Sequence, residues 1–188
     1  MMSMDKKQKV MITARKLFAE NGFYSTATAK IAKEAGVSNG ILFHYFNTKD
    51  ILIQELYNDL KDRLFKYTAD QIYKGATLKE SIYTFWLASL EWNMENPEDF
   101  VFMRQFENSH YFNEQIYSNH RFVQMSLELA EKGIDQGILK KVPPMLLVQT
   151  MSGMVETSVA YLKAHPENAA NQDFKDRLFE LAWDAIKK

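Results

Sequence analysis

Apolar side chains return every three or four residues along almost the whole chain, and only 7 Gly and 4 Pro interrupt its 188 residues. That spacing is the repeat of an α-helix with one buried side, and no stretch alternates long enough to make a half-buried strand. The expected fold class is all-α. Start and stop signals then divide the chain. A first helix spans 6–21, with Val10, Ala14, Leu17 and Phe18 inward and Asn21-Gly22 as a left-handed stop. A second begins between Thr26 and Thr28, capped by a threonine, turns Ile31 and Ala32 inward and stops at Gly36. A third, N-capped by Ser38, ends near Phe46. Thr48 caps a long fourth helix that starts at Lys49 and reaches Tyr73 or Lys74, before Gly75. Thr77-Leu78-Lys79-Glu80 is a capping box for a fifth. That helix is apolar nearly all round, as a helix in the middle of a bundle must be. Asn96-Pro97 opens a sixth. The last three cover 113–136, the stretch from Pro143-Pro144 to Ala164, and 172–186. The expectation is nine helices, three of them in a small amino-terminal unit.

Charge is distributed unevenly along this frame. The net charge is −1, yet residues 1–49 hold eight Lys/Arg against three Asp/Glu, while residues 50–188 hold fifteen against twenty-one. A basic head on an acidic body suits a small footprint on phosphate. Cysteine is absent, which removes disulfides, thiolate metal sites and a thiol nucleophile. The start runs straight into an amphipathic helix instead of a signal-peptide core, and no apolar run approaches a membrane span. A cytoplasmic, nucleoid-associated protein is expected.

The stretch from Thr26 to Lys49 carries the chemistry. Two short helices joined through a glycine turn make a helix-turn-helix, whose second helix enters the major groove of DNA. Ile31, Ala32, Val37, Leu42 and Phe46 can point inward, which leaves Ser38, Asn39, Gly40, Ile41, His44 and Tyr45 for the outside. Gly40 inside a helix costs about 1 kcal/mol relative to alanine, and close approach to DNA supplies a reason for it.

These residues resemble the TetR-type (TetR/AcrR) transcriptional regulators. The resemblance spans Val10 to Leu52 and rests on Ala14, Leu17-Phe18, Gly22-Phe23, Thr26, Ile31-Ala32, Ala35-Gly36-Val37-Ser38, Gly40, Leu42, Tyr45-Phe46, Lys49 and Leu52. It implies a helix-turn-helix DNA-binding domain over 1–48, with a recognition helix about 38–46, and a helical ligand-binding and dimerisation domain over 49–188. Thr28, Ser38, Tyr45 and Lys49 match positions that touch phosphates, and Asn39, Gly40, Ile41 and His44 match positions that face the groove. Asn39 suits an adenine edge and Ile41 a thymine methyl. The chain has Phe43 where the family usually has tyrosine. Without the hydroxyl it is expected only to pack. Lys6, Lys7 and Lys9 read as a solvated basic terminus or as an arm on the DNA backbone.

For the body, the resemblance implies a homodimer built by the last two long helices. Val148, Ser152, Val155 and Val159, with Gly153 beside them, form a stripe on one, and Phe174, Leu178, Leu181 and Ala185 on the other. Two-fold symmetry would space two recognition helices by roughly 34 Å and require a palindromic operator. The family also implies a pocket for a small effector. Its candidate lining is Phe65, Phe85, Trp86, Ser89, Trp92, Asn93, Met103, Phe106, Met125, Met151, Met154 and Tyr161, aromatic and adaptable enough for a lipophilic or aromatic compound. Plain core is the competing reading for each of them.

Nothing points to an enzyme, a metal or a cofactor. Glu107 and His110 have the Glu-x-x-His spacing of di-iron bundles, but no second pair stands at His44, His120 or His165. Glycine-rich phosphate loops and local nucleophile signatures are missing too. The reading is a ligand-responsive repressor. The alternative is a helical bundle that acts through a protein partner or a metal and keeps a vestigial helix-turn-helix.

Overall fold

The computed structural model describes residues 5–69 and 77–188. Among them are ten α-helices: α1 (Lys6–Ser25), α2 (Thr28–Glu34), α3 (Asn39–Tyr45), α4 (Lys49–Ala69), α5 (Leu78–Glu95), α6 (Pro97–Glu107), α7 (Glu114–Asn119), α8 (Arg121–Asp135), α9 (Pro144–Ala164) and α10 (Gln172–Ile186). The all-α expectation holds, with one helix more than the sequence predicted. Tyr73, Lys74 and Gly75, where α4 was expected to end, lie outside the described residues. By their contacts the helices form two compact units. One holds the described residues up to Lys61 with Asn96–Ile116, and the other Asp62–Glu95 with Tyr117–Lys188.

In the first unit, α1 buries Val10, Ala14, Leu17 and Phe18, and its backbone turns to positive φ at Gly22 (φ 78°). The threonine cap expected for α2 does not form, and Thr26 serves α1 instead. Its buried hydroxyl donates to the carbonyls of Leu17 at 3.2 Å and Gly22 at 2.8 Å. It thus satisfies the open end of α1, and α2 starts after Ala27 without a side-chain cap. Helix α6 packs along α1. The Phe102 ring meets Phe18 and Phe23 at 6.1 and 5.3 Å, and Arg15 Nε lies 2.9 Å from the buried carboxylate of Asp99. The start of α4 joins the same unit. Tyr57 Oη donates to Glu107 at 2.8 Å, Lys61 Nζ lies 2.8 Å from the same carboxylate oxygen, and Phe106 stacks on Tyr57 at 3.9 Å.

In the second unit, α5 packs against α8, α9 and α10 and buries Leu78, Ile82, Phe85, Trp86, Leu90 and Trp92. Its apolar circumference therefore has the expected cause. The capping box forms as well, with Thr77 N donating to Glu80 at 2.8 Å and Glu80 N to Thr77 Oγ1 at 3.3 Å. The helix expected over 113–136 is interrupted: α7 stops at Asn119, and His120, in an extended conformation, starts α8. Ser118, Asn119 and His120 are three weak helix formers in succession. Helix α8 ends in a Schellman turn, in which Ile138 N bonds Gly133 O and Gly137 N bonds Ile134 O, with Gly137 at φ 67°. Leu139 then crosses Gly133 so closely that a Cβ there would lie 2.4 Å from Leu139 Cδ1. The chain closes with a bridge between Leu139 and Lys187. None of the helices among the described residues is long and apolar enough to cross a membrane.

Candidate nucleic-acid interface

Helices α2 and α3 meet through a tight turn whose geometry follows from Gly36. Val37 N bonds Ala32 O at 3.0 Å and Gly36 N bonds Lys33 O at 3.2 Å, with Gly36 at φ 67°. This Schellman motif needs a residue that accepts positive φ without strain. Ser38 then starts α3, its Oγ accepting from Ile41 N at 3.3 Å. The hydroxyl proton is left to donate outward, as a contact to phosphate requires. Thr48 does the same for α4, accepting from Ile51 N at 3.1 Å. Lys49, at the first position of α4, holds its ammonium 5.9 Å from the centre of the Phe18 ring.

Helix α3 has two distinct sides. Leu42 is fully buried and Phe46 beyond it equally so, whereas Asn39, Gly40, Phe43 and His44 are exposed. At roughly 100° per residue, those four occupy one face about 140° wide. Ile41 and Tyr45 are half-buried on the flank, and the His44 ring meets Tyr45 edge-on at 5.4 Å. The structure thus brings Asn39, Gly40 and His44 together, sets Ile41 and Tyr45 beside them, and places Ser38, Thr28 and Lys49 at helix starts. Phe43 is the correction. It was expected to pack, but its ring is 41% exposed in the middle of the outward face. The inward arc of so short a helix is already filled by Leu42 and Phe46. A helical wheel of α3 alone would have found it.

The basic terminus is helical from Lys6. Lys7 is held at 2.8 Å by Glu55 and lies 5.3 Å from the centre of the Phe46 ring, while Lys6 and Lys9 are exposed on α1. Lys33 and Lys30 are exposed on α2. The positive groups of the head are therefore carried by helices.

Residues 11–56 match the family described as "Bacterial regulatory proteins, tetR family", and residues 58–188 match "Tetracyclin repressor-like, C-terminal domain". The chain belongs to the TetR family. This TetR-family chain is a helix-turn-helix transcriptional regulator. It is similar over 98% of its length, at 30% identity and a TM-score of 0.92, to 99% of a TetR family transcription regulator from Shewanella sp. PV-4. In sequence it is 33% identical over 114 residues to the uncharacterized HTH-type transcriptional regulator YuxN of Bacillus subtilis, covering 60% of this chain but 39% of YuxN. It is 26% identical over 140 residues to the HTH-type transcriptional repressor KstR2 of Mycobacterium tuberculosis, covering 72% of this chain and 70% of KstR2.

The residues expected to line an effector pocket fall in both units of this TetR-family chain. Met103 and Phe106 belong to the first unit and are buried there. Phe85, Trp86, Ser89, Trp92 and Asn93 are buried on α5 in the second, with Phe85 against Phe122 at 4.7 Å and Trp86 against Phe179 at 5.7 Å. Phe65, Met125, Met151 and Met154 are half-buried. Tyr161 is 41% exposed and stacks on His165 at 4.3 Å and Phe174 at 5.6 Å, so its ring is on the surface and not in an interior pocket. Two buried polar atoms on α5, Trp86 Nε1 and Asn93 Oδ1, make no hydrogen bond. A cleft of about 350 Å³ lies elsewhere, lined by Lys79, Glu80, Tyr83, Asp176, Phe179 and Glu180. Its polar groups already have partners: Lys79 reaches Glu180 at 2.7 Å, Tyr83 donates to Asp176 at 2.6 Å and Glu80 accepts from Thr77 at 2.8 Å.

The expected dimer stripes fare differently. Val148, Val155 and Val159 are buried within the single chain, and Ser152 beside them is half-buried. They form the inward face of α9, filled by its own neighbours, so this half of the expected surface is corrected. On the opposite side Leu146, Gln149, Gly153, Thr157, Ala160 and Tyr161 are exposed in one row. The α10 stripe keeps its outward position: Phe174 and Leu178 are half-buried, Ala185 is exposed and Leu181 is 62% exposed. Glu107 and His110, the one Glu-x-x-His pair, turn to separate partners. Glu107 meets Tyr57 and Lys61, and His110 Nδ1 lies 3.0 Å from Tyr24 Oη.

Proposed function

We propose that this regulator is a homodimeric repressor that binds a palindromic DNA operator through α3 and is released by a small effector. The observation that carries it is the outward face of α3, with Asn39, Gly40 and His44 exposed together on a head that has an excess of positive charge. Thr28, Ser38, Tyr45 and Lys49 supply phosphate contacts that position the helix, and Asn39, Gly40, Ile41 and His44 face the bases. DNA binding is the role of residues 1–48, and effector binding and dimerisation that of 49–188. Repression is favoured by the similarity to KstR2, which is described as a repressor.

The dimer is built on the exposed row of α9 with the outward stripe of α10. Leu146 and Leu181 are 51% and 62% exposed, and the stack of Tyr161 on Phe174 joins the two helices into one surface. Gly153, with nothing within 4 Å of where a Cβ would stand, allows a second helix to approach closely. Effector binding draws on the inner side of α5. Trp86 Nε1 offers a buried donor and Asn93 Oδ1 a buried acceptor, and each gains free energy from a partner. The effector is therefore a largely apolar or aromatic molecule bearing at least one hydrogen-bonding group. Its binding lowers operator affinity.

Mobility shifts with genomic fragments test this. Specific binding that weakens steeply with salt is expected, because each phosphate contact releases counterions. Equal, weak retardation of every fragment would contradict it and favour a bundle with a vestigial helix-turn-helix.

A further inference from the structure

We infer that Phe43 is a base-reading residue, and that its ring contacts the 5-methyl group of a thymine in each operator half-site. The inference rests on the DNA-binding reading above and adds to it a residue whose contact chemistry is apolar. Three observations converge on it. The ring is exposed, although every apolar side chain on the other side of α3 is covered. It stands in the middle of the outward face: with Asn39 at zero, Phe43 falls near ~40°, Gly40 near ~100° and His44 near ~140°. Gly40 beside it has no internal reason to lack a side chain. It does not adopt a positive φ, and a Cβ there would meet only Ser38 Oγ at 3.8 Å, an ordinary contact.

A glycine that the protein's own packing does not require, next to an aromatic residue left 41% exposed, describes a surface shaped for something outside the chain. The bare backbone at Gly40 admits a close approach, and the ring projects beside it. A phenyl group has neither donor nor acceptor, so it cannot bond a phosphate or read a hydrogen-bonding edge. In the major groove the one strongly apolar feature of a base pair is the thymine methyl. Neighbouring Asn39 presents an amide suited to adenine, so the pair would favour an A·T-containing step where the outward face meets the groove.

The test starts from DNA fragments selected by the full-length protein. In the tightest site, each thymine is replaced singly by deoxyuridine, which removes the methyl and leaves every hydrogen-bonding group. Affinity is then measured for the wild type, Phe43→Leu and Phe43→Ala. One thymine per half-site is expected whose replacement weakens wild-type binding about threefold to fivefold, the size of one buried methyl. Phe43→Ala should weaken binding to the thymine site and be insensitive to that replacement, with an unchanged salt slope. Phe43→Leu should keep part of the sensitivity. Because the ring is exposed, circular dichroism and thermal midpoint should not move. Specific binding with no methyl dependence, or a dependence that survives Phe43→Ala, would overturn this inference and leave the DNA-binding reading standing. Failure to select any fragment would overturn both.

Discussion

At Thr26 one hydroxyl completes the end of a helix. It is fully buried and bonds two carbonyls of α1, those of Leu17 and Gly22. Thr26→Val keeps the shape and removes the bonds, so it should lower unfolding free energy by about 1–2 kcal/mol in urea titration. Gly133 is a residue of another kind. An added methyl would meet Leu139 at 2.4 Å and Leu78 at 2.9 Å. Gly133→Ala gains helix propensity yet should still destabilise by about 1–3 kcal/mol, because overpacking outweighs the propensity term. A variant more stable than wild type in the same titration would show that the turn after α8 gives way. Neither role is legible in sequence. Thr26 looks like an N-cap because threonine often is one, and Gly133 shows its neighbours only once Leu139 folds back over it.

Among the elements, what could be read in advance depended on whether local chemistry alone decides. The Schellman turn at Gly36, the cap at Ser38 and the capping box at Thr77 are short-range arrangements, and each forms where its residues announce it. The α7–α8 break was missed because apolar spacing continues through Ser118-Asn119-His120 and hides their weak propensity. The valine stripe of α9 was assigned to the wrong side because periodicity locates an apolar face without saying what covers it. Here its own chain covers it. The outward stripe of α10, proposed to share the dimer surface with that exposed row of α9, gives the prediction for this scale. Leu181→Glu should shift sedimentation from dimer toward monomer while thermal stability of the monomer fold changes little, since this side chain is uncovered in the single chain. An unchanged dimer at micromolar concentration would place the interface elsewhere.

For the whole molecule, ionisation ties stability to pH from both the alkaline and the acid side. Tyr111 in the first and Tyr83 in the second are each pushed up to about 12, by burial first and then by Asp50 and Asp176 respectively. Their folded values exceed the ordinary 10.0, so their contribution to stability is complete below pH ~10 and is lost as pH rises toward ~12. The acid side has the reverse sign. Hydrogen bonds from the Thr77 backbone hold Glu80 below its usual 4.5, and the bond from Tyr83 holds Asp176 below 3.8. Their contribution is present above those values and is lost as pH falls. Absorbance at 295 nm should therefore show a late tyrosine phase near pH 12 that coincides with unfolding by circular dichroism; a single phase near 10 would contradict this.

The two kinds of contact proposed for the helix-turn-helix can be separated on one selected operator and on single-base variants of it. Affinities would be measured across a salt series for the wild type, Asn39→Ala and Lys49→Ala. Lys49→Ala should weaken binding to all sequences alike and reduce the salt slope by about one. Asn39→Ala should leave the slope unchanged, lose about 1–3 kcal/mol on the operator and no longer discriminate at one base pair per half-site. If both substitutions lowered affinity equally on every sequence with the same slope, α3 would not be the element that reads the DNA.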